Sequence, residues 1–318
     1  MNVEKIPVTI ITGFLGAGKT TFLNNLITGN PDKRFAIIEN ELGDIAIDKE
    51  LVVNVDDGIF ELANGCICCS LNVELGNLLQ RLVSGNYQFD HLIIETSGIA
   101  EPDGIATAFI GKGKGKTFRL DGTVCLADAD AIEKNLDERG EALKQITFAD
   151  VILLNKIDLV SQEQQKQLNS LLKKYNPDAE IISCSYGDVP DKVLLDIHAY
   201  DTVRLEERLL HNHQPHHHYN EIVAHSFQFS QPLDPDKFEH WIKMLLFLSG
   251  YQIYRVKGIL NLNGKKGKYI FQSVRSQMIL EPGSTWKPGE PQETKIVFIG
   301  HNIKKEIIEK GLMGCVDL

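Results

Sequence analysis

PVTIITGFLGAGKTTFLNNLI, residues 7–27, is the stretch whose reading decides the fold of this 318-residue chain. Val8–Ile11 is a short apolar run of strand character. Gly13, Gly16 and Gly18 then lead to Lys19 and Thr20, and a helix is predicted over Thr21–Thr28. This is G-x-x-x-x-G-K-[ST] in a strand–loop–helix setting. Glycines let successive backbone N–H groups curl around phosphate oxygens, and the helix N-terminus adds its positive end. Lys19 is expected to reach the β- and γ-phosphates and the Thr20 hydroxyl to ligate Mg²⁺. Ala17 and Thr21 join them as expected nucleotide contacts.

Working outward, HLIIETSGIAEP (91–102) is a second apolar run, Leu92–Ile94, ending in Glu95, Thr96, Ser97 and Gly98. An acid at the carboxyl end of a strand beside the phosphate loop suits the Mg²⁺ side of the site. Gly98 suits a close backbone approach to a γ-phosphate. DVILLNKIDLV (150–160) carries strand Val151–Leu154 into Asn155, Lys156 and Asp158. A carboxylate there can accept from guanine N1–H and the exocyclic amino group beside it, where adenine offers an acceptor and no amino group; such a site discriminates by about 10⁴-fold. The Lys156 stem can cover the base face. In AEIISCSYG (179–187), Ser183–Ser185 can offer N–H groups to guanine O6. GTP, rather than ATP, is the expected nucleotide. Strands Phe35–Glu39, Thr123–Asp128 and Val151–Leu154 alternate with helices such as Val73–Ser84, which implies an α/β fold with a mostly parallel sheet covered by helices on both faces.

Between the phosphate loop and Glu95 lies ELANGCICCSLN (61–72), with Cys66, Cys68 and Cys69 in four positions. Adjacent cysteines bridge only with strain. A metal site, a redox centre and a buried strand remain, and C-x-C-C lacks the C-x-x-C spacing of a redox pair. Thiolates favour zinc or Cu(I), and three of them leave one tetrahedral position open. Water can fill it, or a carboxylate from IIENELGDIAID (37–48), where Glu39, Glu41 and Asp44 are candidates. In phosphate-loop switches this interval rearranges with the γ-phosphate.

Charge and composition exclude other classes. A net charge of −10 opposes general nucleic-acid or membrane-surface binding. No apolar run approaches the roughly 20 residues of a membrane span. Without a signal-peptide pattern and with scattered remaining cysteines (Cys125, Cys184, Cys315), the chain reads as cytosolic, where thiols stay reduced.

The second half breaks the α/β rhythm at RLEERLLHNHQPHHHYN (204–220). Six of the ten histidines lie at 211, 213, 216, 217, 218 and 225. They are either a metal-holding tract or a solvated linker. Beyond it, EIVAHSFQFSQPL, YQIYRVKGILNL, KYIFQSVRSQMIL and ETKIVFIG read as strands. DPDKFEHWIKMLLFL reads as a helix capped by Asp234, with Pro235 as its first residue, and NIKKEIIEKGL as a closing helix. The expected organisation is a nucleotide domain over 1–203, a His-rich linker over 204–218 and a smaller α+β domain over 219–318. Trp241 and Trp286 are assigned to core or interface, and GKGKGK (111–116) to a surface loop. Arg255 and Lys257 are candidates for a client-facing or inter-domain patch.

TGFLGAGKTT, IIENELG, NGCICC, ETSG and NKID in this order resemble the CobW family of phosphate-loop metal-chaperone GTPases (the CobW/HypB/UreG class). The resemblance implies GTP hydrolysis, and zinc or cobalt (nickel also being possible) held at Cys66, Cys68 and Cys69 in a GTP-dependent manner. It also implies delivery to a client metalloprotein or a cofactor-synthesis enzyme. Glu39 matches a position where a metal-binding acid occurs in relatives, and Asp44 one where some relatives carry Glu. With Lys19 offsetting charge, Asp44 and Glu95 are the candidate acids for orienting the attacking water. Two alternatives stand beside this: a metal buffer or sensor with a regulatory GTP site, and a GTP signalling switch with structural cysteines.

Overall fold

A computed structural model describes residues 5–40, 59–61, 71–85, 88–110, 117–189, 194–195, 197–200, 222–249 and 252–316. They form two compact units, one of residues 1–109 and 113–199, the other of 200–318 with 110–112.

The first unit runs β1 (Ile6–Gly13), α1 (Lys19–Gly29), β2 (Phe35–Asn40), β3 (Ile59–Glu61), α2 (Leu71–Ser84), β4 (His91–Thr96) and α3 (Pro102–Ala106). It continues with β5 (Phe118–Asp128), α4 (Ile132–Glu138), α5 (Gly140–Phe148), β6 (Val151–Asn155), α6 (Gln162–Tyr175) and β7 (Glu180–Ser183). The seven strands form one parallel sheet in the order β3-β2-β4-β1-β5-β6-β7. Val8, Ile10, Ile11, Ile93, Ile94 and all of Val151–Leu154 are fully buried. This is why these strands read as unbroken apolar runs: a parallel sheet is covered on both faces. Helix α1 turns Phe22, Leu23, Leu26 and Ile27 inward, an i/i+4 pair of pairs that makes one apolar stripe. Because the chain leaves β1 for β2 on one side and later places β5 on the other, the connections diverge about β1. Ligands of open α/β sheets bind beyond the carboxyl ends of strands at such a point.

The second unit is an antiparallel sheet, β11-β10-β9-β12-β8, with two helices. Its elements are β8 (Ile222–Phe229), α7 (Pro235–Ser249), β9 (Ile253–Asn261), β10 (Gly267–Val274), β11 (Gln277–Thr285), β12 (Thr294–His301) and α8 (Lys305–Gly314). Asp234 caps α7 as expected: its Oδ1 accepts from the N–H groups of Asp236 and Lys237, both at 2.9 Å. Phe238, Ile242 and Leu246 of α7 pack with Val256, Leu260, Phe271 and Phe298 of the sheet and Ile308 and Leu312 of α8. Trp241 lies against this core, and Trp286 against the smaller apolar cluster of Ile259, Ile270 and Val297.

Two expectations are corrected here. KYIFQSVRSQMIL is a hairpin rather than one strand: β10 and β11 pair at Val274↔Gln277 across a two-residue turn. Arg275 takes φ +51° there; without the Asn-Gly or Asp-Gly pair that usually marks such turns, periodicity ran straight through it. Arg255 and Lys257 are 3% and 4% exposed, so they form no exposed client-facing patch. The Arg255 guanidinium donates to the Tyr200 hydroxyl at 3.2 Å and lies over its ring. No helix among the described residues is long and apolar enough to cross a membrane.

Candidate functional site

The loop after β1 has the backbone that phosphate binding asks for. Gly13, Gly16 and Gly18 have φ of +143°, +77° and +98°. At Gly18 a Cβ would sit 2.6 Å from Asn155 Nδ2, so both backbone angle and space exclude a side chain. Helix α1 starts on Lys19, two residues before the expected Thr21, because the Phe22 N–H already donates to Gly18 O at 2.9 Å. Lys19 Nζ folds back over the loop and donates to Gly13 O at 3.0 Å. Ala17 is buried, Thr20 half-buried and Thr21 exposed.

Asn155, Lys156 and Asp158, expected at the base, have different surroundings in the structure. Asn155 is 2% exposed. Its Nδ2 donates to Ala17 O (2.9 Å), and its Oδ1 accepts from Gly187 N–H (3.0 Å) and the Cys184 thiol (3.6 Å). Both ends of the amide are therefore engaged in tying the phosphate loop to the loop after β7. Burial raises the Cys184 thiol to about 11, so it stays protonated and can donate. Lys156 adopts a left-handed φ of +61°, costly for a side chain with Cβ, and its ammonium pairs with Asp128 Oδ2 at 2.7 Å. Asp158 is exposed, in a short 3₁₀ turn (Ile157–Leu159), and its Oδ1 accepts from the Ser185 hydroxyl at 2.6 Å. Asp128 was missed by sequence reasoning. The available signal was its position closing strand Thr123–Asp128, in register with Asn155.

On the other side of β1, Glu95 is still within β4, opposite Ile11 of β1 and Glu39 of β2. Its neighbour Thr96 donates from Oγ1 to Thr12 Oγ1 at 2.9 Å, knitting the ends of β4 and β1 together. Gly98 follows at very close range to the phosphate loop: a Cβ there would lie 2.8 Å from the backbone nitrogen of Leu15. Gln145, also missed, donates from Nε2 to both Gly98 O and Ala100 O at 3.1 Å. Nothing in the sequence marks it, since it is one polar residue in an ordinary amphipathic helix. The Thr20 hydroxyl and the Glu95 carboxylate, at the ends of adjacent elements, are hard oxygen donors of the kind Mg²⁺ takes.

Cys66, Cys68, Cys69, Asp44, Glu41, the 204–218 tract and residues 111–116 lie outside the described residues, and of Glu39 the backbone is described. Among the described residues no three His, Cys, Asp or Glu side chains converge as a metal site. Cys125, Cys184 and Cys315 are separate buried thiols. Burial drives Cys125 to about 12 and Cys315 to about 11, which keeps both thiols protonated at neutral pH.

Comparison with known proteins gives two family matches that between them account for most of the chain. Residues 7–183 match the CobW/HypB/UreG nucleotide-binding domain, and residues 222–316 the cobalamin synthesis protein CobW C-terminal domain. The zinc chaperone YjiA of Escherichia coli is 32% identical over 98% of this chain and 99% of its own. The zinc-regulated GTPase metalloprotein activator 1 of Schizosaccharomyces pombe is 31% identical over 96% of this chain and 84% of its own. The crystal structure of Zn(II)-bound YjiA GTPase from E. coli superposes with a TM-score of 0.78 at 28% identity, covering 99% of this chain and 100% of that one.

Proposed function

The chain belongs to the CobW/HypB/UreG family, and on that premise we propose that it is a GTP-hydrolysing metallochaperone that carries zinc. The observation that carries this reading is the register Glu39↔Glu95 between β2 and β4. Paired strands lie about 4.8 Å apart, so the acid proposed for the metal and the acid proposed for the Mg²⁺ side of the nucleotide stand next to each other. A change at the γ-phosphate then has a short path to the metal.

In this proposal the residues of the phosphate loop, Gly13 to Thr21, wrap the phosphates, Lys19 offsets their charge, and Thr20 and Glu95 hold Mg²⁺, whose charge helps to stabilise the transferring phosphoryl group. Asp158 reads guanine, Lys156 flanks it, and Asn155 braces the cradle. Glu95 or Asp44 orients water. Cys66, Cys68 and Cys69, with Glu39, hold the ion as cargo in the GTP state and release it to a client metalloprotein on hydrolysis. Thiolates remain available for this only where they stay reduced, as in a cytosol. The relatives are named as a zinc chaperone and a zinc-regulated GTPase metalloprotein activator, which makes zinc the proposed cargo; cobalt and nickel suit the same donors less selectively. The organisation proposed is a nucleotide domain to residue 203, a His-rich linker over 204–218 and a C-terminal domain from 219.

A hundredfold change in zinc affinity between GTP and GDP states requires about 2.7 kcal/mol of coupling, and zinc must then tighten GTP binding by the same factor. The test is a zinc titration of the protein with a non-hydrolysable GTP analogue or GDP, repeated with all three cysteines replaced by serine. A high-affinity site that needs both the analogue and the thiols is expected. Equal zinc affinity with either nucleotide points to a buffer or sensor instead, and unchanged metal content in the serine variant points to a signalling switch.

A further inference from the structure

Gln145 is 1% exposed on α5, yet half of its hydrogen-bonding capacity is unused. Its Nε2 holds Gly98 O and Ala100 O, while its Oε1 is buried with no partner among the described residues. The hydroxyl of Ser97, on the same loop, is likewise buried and unpartnered among them. One orphan is an acceptor and the other carries a donor, so each has what the other lacks. A buried amide left partly unsatisfied is less favourable than an apolar side chain of its size, which points to a role beyond packing.

The loop itself is held peptide by peptide. Ala100 N–H donates to Ser97 O at 3.1 Å, which orients the planar unit carrying the Gly98 N–H. Gln145 fixes the next unit through Gly98 O and a later one through Ala100 O. One residue along α5, Lys144 Nζ bonds the Glu101 carboxylate. Helix α5 thus grips residues 98–101 at three points while Gly98 presses on Leu15 of the phosphate loop.

We infer that Gln145 is a positioning residue that couples this loop to the nucleotide's terminal phosphate. With Nε2 on the two carbonyls, the loop stays against Leu15 and offers the Gly98 N–H to a γ-phosphate. When that phosphate leaves, the loop relaxes and the Ser97 hydroxyl donates to Gln145 Oε1. The inference rests on the GTPase reading of the site and adds its sensor.

The test uses Gln145→Glu, which keeps the size but sets an acceptor against two carbonyls, together with Gln145→Leu and Ser97→Ala. Binding of GDP and of a non-hydrolysable GTP analogue, kcat and KM for GTP, and Tm are measured on the full chain. Both Gln145 variants should lose about tenfold in preference for the analogue over GDP, within the usual span of coupling, with GDP affinity nearly unchanged and kcat reduced more than KM is raised. Ser97→Ala should shift the preference toward the analogue about threefold, on the same scale. A Gln145 variant that melts earlier but keeps the wild-type analogue-to-GDP ratio overturns the inference. If neither Gln145 variant folds, an unaltered ratio in Ser97→Ala overturns it. Wild-type protein that binds neither nucleotide removes the GTPase reading itself; a wild-type preference that the variants leave unaltered removes only the sensor.

Discussion

Replacing Asn155 by alanine should unfold the nucleotide unit at a lower temperature even with no nucleotide present. The side chain joins two loops that lie 170 positions apart in sequence: Ala17 of the phosphate loop and Gly187 beyond β7, at 2.9 and 3.0 Å. Ala17 and Gly187 are themselves buried, so truncation strands a carbonyl and an N–H away from water. Each stranded group costs about 1–3 kcal/mol, which puts the loss near 3 kcal/mol. For a unit of this size that lowers Tm by about 6–12 °C. Calorimetry or fluorimetric melting without nucleotide reads it directly, and GTP affinity should fall alongside, by about tenfold or more, as the cradle loosens. Asn155→Asp keeps an acceptor for Gly187 but turns a carboxylate oxygen toward Ala17 O, and should be at least as damaging. A variant with wild-type Tm and no GTP binding would refute the reasoning, because the amide would then act on the nucleotide itself.

Asp158→Asn changes an exposed carboxylate, so Tm should move little. GTP affinity should drop about 100-fold or more, and xanthosine triphosphate should gain, since its 2-oxo group accepts from the new amide; competition against a fluorescent nucleotide measures both. Gly98→Ala drives a Cβ to 2.5 Å from the Leu15 side chain and 2.8 Å from its backbone nitrogen. The expected result is kcat lower by about tenfold or more with GDP affinity kept, because in the proposed mechanism the displaced loop serves the terminal phosphate. In the second unit, the hydrogen bond from Lys268, followed by that from the Lys287 N–H, holds the Glu290 carboxyl below its ordinary 4.5. A depressed carboxylate contributes stability that is fully present above pH 4.5 and is lost as the pH falls through its lower folded value. Glu290→Gln removes the carboxylate that pairs at 2.8 Å with the buried Lys268 ammonium, beside the Trp286 ring. It should cost about 2–3 kcal/mol near neutrality, less than a fully enclosed pair would, and the Tm gap to wild type should close in acid.

The parallel α/β fold and the phosphate cradle were legible in the chain because both are local. Apolar runs mark strands buried on two faces, and three glycines before Lys19 leave the backbone few other uses. The helix cap at Asp234 was legible for the same reason, its donors lying two and three residues away. What tertiary structure alone decided involves partners far apart in sequence. It put β4 between β2 and β1, and so brought Glu39 beside Glu95. It committed Asn155 to bracing, across 138 positions to Ala17, where the motif by itself pointed to the base. It also recruited Gln145 to a loop 47 residues earlier. A side-chain amide can satisfy any donor or acceptor within about 3 Å, and which one comes within that reach depends on the order of strands, a property of the packed sheet that no short stretch of residues encodes.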